Sequence, residues 1–202
     1  MPGVDDAFTL LRRATDLLPE GTHTEYGVTR EDVREFQQHQ EWELVLDLLM
    51  EIGDSCPLPL PFWSLLSEAA QQMMLEGSAR WCDWRAGEVR HGTFRARLSL
   101  LRAEEGGRRT AFSGDGRLWP LWGIGNRAPD GERAVNVARL WVEQAPGMAP
   151  GESATVRLAP LSPEQWRRLQ PGDVITMHEG RPVLGTATVI EIRPPADPDQ
   201  AR

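Results

Sequence analysis

The sequence contains no lysine; all 22 of its basic residues are arginine. That absence removes the usual Schiff-base former and the ammonium that reaches the terminal phosphates in a Gly-Lys-Thr or Gly-Lys-Ser phosphate loop. Cysteine is nearly as scarce. Cys56 and Cys82 supply neither a disulfide framework nor a Cys-x-x-Cys pair, and His23, His39, His91 and His178 add no zinc-ligand spacing. No cofactor or metal is therefore expected. No apolar run approaches the ~20 residues of a membrane-spanning helix. No basic leader with an apolar core accompanies Asp5 and Asp6. The expectation is a cytoplasmic protein, off the membrane, with both thiols reduced.

What is present is unevenly distributed. Residues 1–86 hold 16 acidic residues against six arginines, whereas residues 87–202 hold 14 against 16. The acidic first part is a poor surface for duplex DNA, which demands clustered positive charge.

The hydrophobic period divides the chain at the same place. Ala7, Leu10, Leu11, Ala14, Leu17 and Leu18 recur at helical spacing until Pro19-Glu20-Gly21. Thr29, with Asp32 three residues on, caps a second predicted helix that continues through Val33, Phe36, Trp42, Val45 and Leu49 to Gly53. Alternate prolines from Cys56 to Pro61 form a rigid connector. Phe62, Leu65, Leu66, Ala69, Ala70 and Met73 mark a third helix closing at Gly77. After about Gly87 the period becomes two, in Phe94–Leu100, Val135–Val142 and Thr155–Leu158. In the last strand Val183, Gly185 and Ala187 should face one way, and Leu184, Thr186, Thr188 and Ile190 the other. Glycine-rich turns separate the strands. Ser162-Pro163 opens one brief helical turn before Leu169.

Two glycine-arginine turns carry a resemblance. Thr93-Phe94 is followed by Glu104-Glu105-Gly106-Gly107-Arg108. Met148-Ala149-Pro150-Gly151 precedes the strand through Val156, and His178-Glu179-Gly180-Arg181 leads into Pro182-Val183-Leu184-Gly185-Thr186-Ala187-Thr188-Val189. In this order and spacing, over about residues 91–193, the chain resembles the C-terminal β-barrel of bacterial translation elongation factor Tu. It departs by one glycine in the final turn, by Pro182 and by Ala187. With the helical period of the first half, the resemblance of the second implies an α+β, two-part fold. An acidic small helical bundle over 1–86 precedes a six-stranded antiparallel elongation-factor-like β-barrel over 87–195, with a flexible tail over 196–202.

GTP hydrolysis is not expected, because both the phosphate loop and the guanine-reading Asn-Lys-x-Asp need lysine. In the family, the corresponding barrel helps hold the T-stem side of aminoacyl-tRNA and contacts protein partners. Arg108 and Arg181 stand at the matching turns, where they would touch phosphate or protein, or brace a loop against Glu104, Glu105 or Glu179.

Trp119 and Trp122, followed by Arg127, form the informative aromatic cluster. They either fill the core or anchor a partner. Cys82 with His91 is the one nucleophile–base pairing left open. His39, Glu43 and Asp47 read as the solvated side of a helix. The chain is thus expected to be a non-enzymatic interaction protein presenting the barrel to a protein partner, in an immunity-like or decoy role. The alternatives are a tRNA- or other RNA-binding protein and, third, an enzyme with a composite pocket.

Overall fold

A computed structural model describes residues 5–127, 131 and 134–195. The expected tail over 196–202 lies outside the described residues. The described residues split into two compact units, 5–90 and His91–Pro195.

The first unit holds five helices: α1 Ala7–Asp16, α2 Arg30–Gln38, α3 Trp42–Ser55, α4 Leu60–Gln72 and α5 Glu76–His91. Asp6 caps α1 by accepting from the Thr9 N–H at 2.7 Å. Thr29 and Asp32 form the expected reciprocal capping box on α2. Two predicted helix limits were wrong, for one reason. The second helix is interrupted at Gln40 (φ 61°), and the third at Met74 (φ 59°). At each break the chain closes a Schellman motif. Glu41 N–H reaches Phe36 C=O and Gln40 N–H reaches Gln37 C=O; Leu75 and Met74 do the same to Ala70 and Gln71. Neither break uses glycine, so the usual stop signal is missing. Conversely, Gly53 and Gly77, read as stops, lie inside α3 and α5. Gly53 is there for packing, since a Cβ at this position would come within 2.6 Å of the Trp63 ring.

The helices enclose Leu10, Leu11, Val45, Leu46, Leu49, Ile52, Phe62, Trp63 and Leu66. Arg85 ties α5 to this core. Its guanidinium lies 4.6 Å from the Trp63 ring centre, pairs with Asp54 and Glu88, and donates to the Gly53 carbonyl at 3.2 Å near the end of α3.

The second unit is the expected barrel. Its strands are β1 Thr93–Leu100, β2 Phe112–Ser113, β3 Leu121–Gly123, β4 Asn136–Val142, β5 Gly147–Met148, β6 Ser153–Pro160, β7 Val174–His178 and β8 Val183–Arg193. Six of them close in the order β1-β6-β4-β3-β7-β8, every neighbour antiparallel, while β2 and β5 form a small separate pair. Closure leaves no sheet edge in the barrel to manage. Leu98, Trp122, Ala138, Leu140, Val156, Leu158, Ile175, Met177 and Ala187 fill the interior. Trp166, on the short 3-10 turn Pro163–Trp166, enters this core edge-on to Phe94 and Trp122, with ring centres at 5.7 and 6.4 Å. β3 escaped the sequence reading because it is three residues long and Pro120, Trp122 and Gly123 obscure its alternation, and β7 because it is only five residues long.

One strand face differs from expectation. The β7–β8 register shifts between Met177, opposite Gly185, and His178, opposite Val183. Leu184 is the extra residue of this bulge and is buried, so Val183 turns outward, away from the inward Gly185 and Ala187.

Candidate interaction surface

The outer wall of the barrel has two chemically different sectors. Over β1, β6 and β8 it is mostly polar and ion-paired. The Arg95 guanidinium donates twice to Glu143, both at 2.8 Å, and once to Glu191 at 2.7 Å. Arg157 meets Glu143 at 2.8 Å, and Arg193 pairs with Glu191. Burial alone would raise both carboxyls, but the adjacent guanidinium groups outweigh it and hold Glu143 and Glu191 below the usual carboxylate range. These charges brace the wall and satisfy one another.

Over β4, β3 and β7 the wall is mixed, with exposed apolar residues beside Arg139, Thr176 and His178. Alternation along β3 turns Trp119, Leu121 and Gly123 outward while Trp122 points in. Leu121 pairs with Val137 on one side and His178 on the other, and Gly123 pairs with Thr176. Gly123 carries no side chain, and this makes a notch. A Cβ there would lie 2.5 Å from Thr176 Oγ1 and 3.2 Å from His178 Nε2. Thr176 and His178 share a 2.8 Å hydrogen bond that holds the imidazole beside the notch.

The notch opens into a groove of about 350 Å³ lined by Gly123, Arg127, Val135, Val174, His178 and Val183, among others. Val135, Val174 and Val183 remain 46%, 66% and 39% exposed. The bulge at Leu184 delivers Val183 to this face, and the positive φ of Gly125 (79°) turns the chain after β3 toward Arg127. A second cavity of about 350 Å³ continues past Gly125 and Val174 to Arg168 and Asp173.

The residues singled out from the sequence fall in different places. Arg108 is a brace between the two glycine-arginine turns. It forms an ion pair with Glu179, donates to the Thr110 carbonyl at 3.3 Å and lies 5.2 Å from the Phe112 ring centre. Trp119 is 52% exposed at the start of β3, with the Arg139 guanidinium 5.2 Å from its ring centre. Trp122 is fully buried and its indole N–H donates to the Ala138 carbonyl at 3.1 Å, so it belongs to the core and not to the surface. Arg127 is exposed on the groove rim, where it donates to the Gly131 carbonyl at 2.8 Å. Arg181 is exposed in the β7–β8 turn, outside the groove lining. The structure therefore leaves Trp119 and Arg127 exposed at opposite ends of β3 and buries Trp122.

No protein-family model and no curated protein matches this chain.

The thiols sit elsewhere. Burial pushes the Cys82 thiol up to about 12, and it also raises Cys56; a thiol so shifted is a poor nucleophile at neutral pH. Among the described residues no group of three or more His, Cys, Asp or Glu side chains is arranged to hold a metal ion. No helix among them is long and apolar enough to cross a membrane. Sequence reading missed Val135, Val174, Val183, His178 and Arg168. The spacing Gly123-x-Gly125 after an inward tryptophan was the one local signal of a missing outer wall, and the β8 bulge left none.

Proposed function

We propose that this chain is a non-enzymatic interaction protein of the cytoplasm whose barrel binds a protein partner through the outer wall of β3, β4 and β7. The observation that carries the reading is the contrast between the two sectors of that wall. Over β1, β6 and β8 most outer positions are polar or ion-paired, with Ile190 an exposed apolar residue among them. By contrast, Val135, Val174 and Val183 stay in water around a notch created by glycine, and Trp119 is exposed beyond the other end of β3. Contiguous apolar surface rimmed by polar groups is the usual mark of a recognition face. The likeness to an elongation-factor barrel supports a decoy or immunity-like version, in which the barrel imitates a surface that another protein recognises.

RNA binding is the weaker reading. Arg108, which the resemblance would direct at phosphate, is committed to Glu179 and Phe112. Affinity capture from native lysate, with proteins and RNA quantified together, tests the choice. The intact chain should recover a protein that both Val174→Asp and Trp119→Ala lose. Recovery that is indifferent to both substitutions, or capture dominated by tRNA that weakens steeply with salt, would reject the proposal.

A further inference from the structure

We infer that the groove recognises an extended acidic peptide, with two carboxylates flanking one small apolar side chain. This rests on the protein-binding reading above and names the chemistry of the partner.

The shape comes first. Gly125 and Val174 line both cavities, so the two form one trough with Val174 as a low ridge in its middle. Arg168 stands at one end and Arg127, with His178, at the other. The trough owes its depth to the missing side chains of Gly123 and Gly125. At Gly125 an added Cβ would come within 3.3 Å of the Arg168 guanidinium. An extended strand presents residues i, i+2 and i+4 on one face, at ~3.3 Å rise per residue. An acid–apolar–acid set at those positions would place the apolar group against Val135, Val174 and Val183, and the acids against the two arginines.

The sign of the charge follows from what each cation already touches. Arg127 donates to the Gly131 carbonyl and Arg168 to the Ile124 carbonyl. Among the described residues neither has a carboxylate partner. Backbone oxygens orient these guanidinium groups. Of the described carboxylates nearby, Glu179 is paired with Arg108, while Asp173, which lines the same cavity as Arg168, accepts from the Gln170 N–H at 2.8 Å within its own turn and keeps its charge. Elsewhere on the barrel, Arg95, Arg117, Arg157 and Arg193 face carboxylates. Two pre-oriented guanidinium groups separated by valines match two side-chain carboxylates. A nucleic acid fits less well, because the trough offers no aromatic face for a base; Trp119 stands beyond the far end of β3. The formal charge of −8 does not forbid an acidic ligand, since beyond the ~8 Å screening length at physiological salt the local arginines decide.

The test uses the full chain and a fluorescein-labelled peptide, Gly-Glu-Thr-Val-Thr-Glu-Gly, read by fluorescence anisotropy. Saturable binding is expected, at least tenfold weaker when both glutamates are replaced by glutamine. Val174→Asp and Arg127→Ala should each weaken it about tenfold. Val174 is so exposed that its variant should keep the wild-type unfolding midpoint. Equal binding of the glutamate and glutamine peptides, no saturation at millimolar peptide, indifference to Val174→Asp, or displacement by decameric oligouridine at lower concentration than by unlabelled peptide would each overturn the inference. If the peptide fails while lysate capture still depends on Val174, the acidic chemistry is wrong and the interaction surface stands. If capture itself ignores Val174, the surface reading falls.

Discussion

Gly53 and Gly123 show how much of this molecule is decided by side chains that are not there. Gly53 lies in the last turn of α3, and glycine in a helix costs up to roughly 1 kcal/mol relative to alanine. It persists because Trp63 occupies the space a Cβ would need. Gly53→Ala should therefore destabilise despite the better helix propensity, by about 1–3 kcal/mol for overpacking; a urea denaturation midpoint equal to or above wild type would contradict this. Arg95, Glu143 and Arg157 behave oppositely, because their worth lies in what they carry. The Glu143 carboxyl is held low in the folded state, so its contribution is complete above its unfolded value of about 4.3 and disappears as pH falls through the folded value. Glu143→Gln should cost about 1–3 kcal/mol at pH 7, because it removes the carboxylate that Arg95 and Arg157 share, while Arg95 keeps Glu191. The gap between variant and wild type should close as pH is lowered below about 4. A gap that stays constant from pH 7 to pH 3 would mean that the network is not what stabilises this wall.

At the scale of elements, the sequence was readable wherever local chemistry and tertiary packing agreed. The Thr29–Asp32 cap, the alternation of β1 and the 3-10 turn before Leu169 follow from their own residues. The helix breaks at Gln40 and Met74 were not readable, because both residues take left-handed conformations that non-glycine residues do not favour. α5 was missed for a related reason: it includes Gly77 and Gly87 and buries Trp84 and Glu88 together, the indole N–H donating to the Glu88 carboxylate at 3.0 Å. On the candidate face, Trp119 and Arg127 were legible as chemistry. Val183 was not, since its direction depends on a bulge set by pairing with β7. These breaks carry strain that glycine would relieve. Gln40→Gly and Met74→Gly should each stabilise the helical unit by about 1 kcal/mol. Both positions should be assayed by thermal unfolding, and a lowered midpoint for both would show that the side chains contribute more than the backbone strain costs.

The whole molecule consists of two units with separate cores, and the barrel unit contains everything its closure needs. Its first and last strands are neighbours: Thr93 pairs with Arg193, and Gly92 comes so close to the Arg193 carbonyl that an added Cβ would lie 2.5 Å from it. The ends of the unit are thus held together by the barrel's own ladder. Its interior is filled by residues between Phe94 and Ile192. A domain with adjacent termini and its own core is able to fold alone. Residues 91–195 expressed by themselves should give a β-type circular dichroism spectrum and one cooperative unfolding transition, and should retain the groove between Arg127 and Arg168. Peptide binding by this fragment with the affinity of the full chain would place recognition in the barrel. A fragment that folds cooperatively but binds no peptide bound by the full chain would show that the acidic helical unit takes part in recognition.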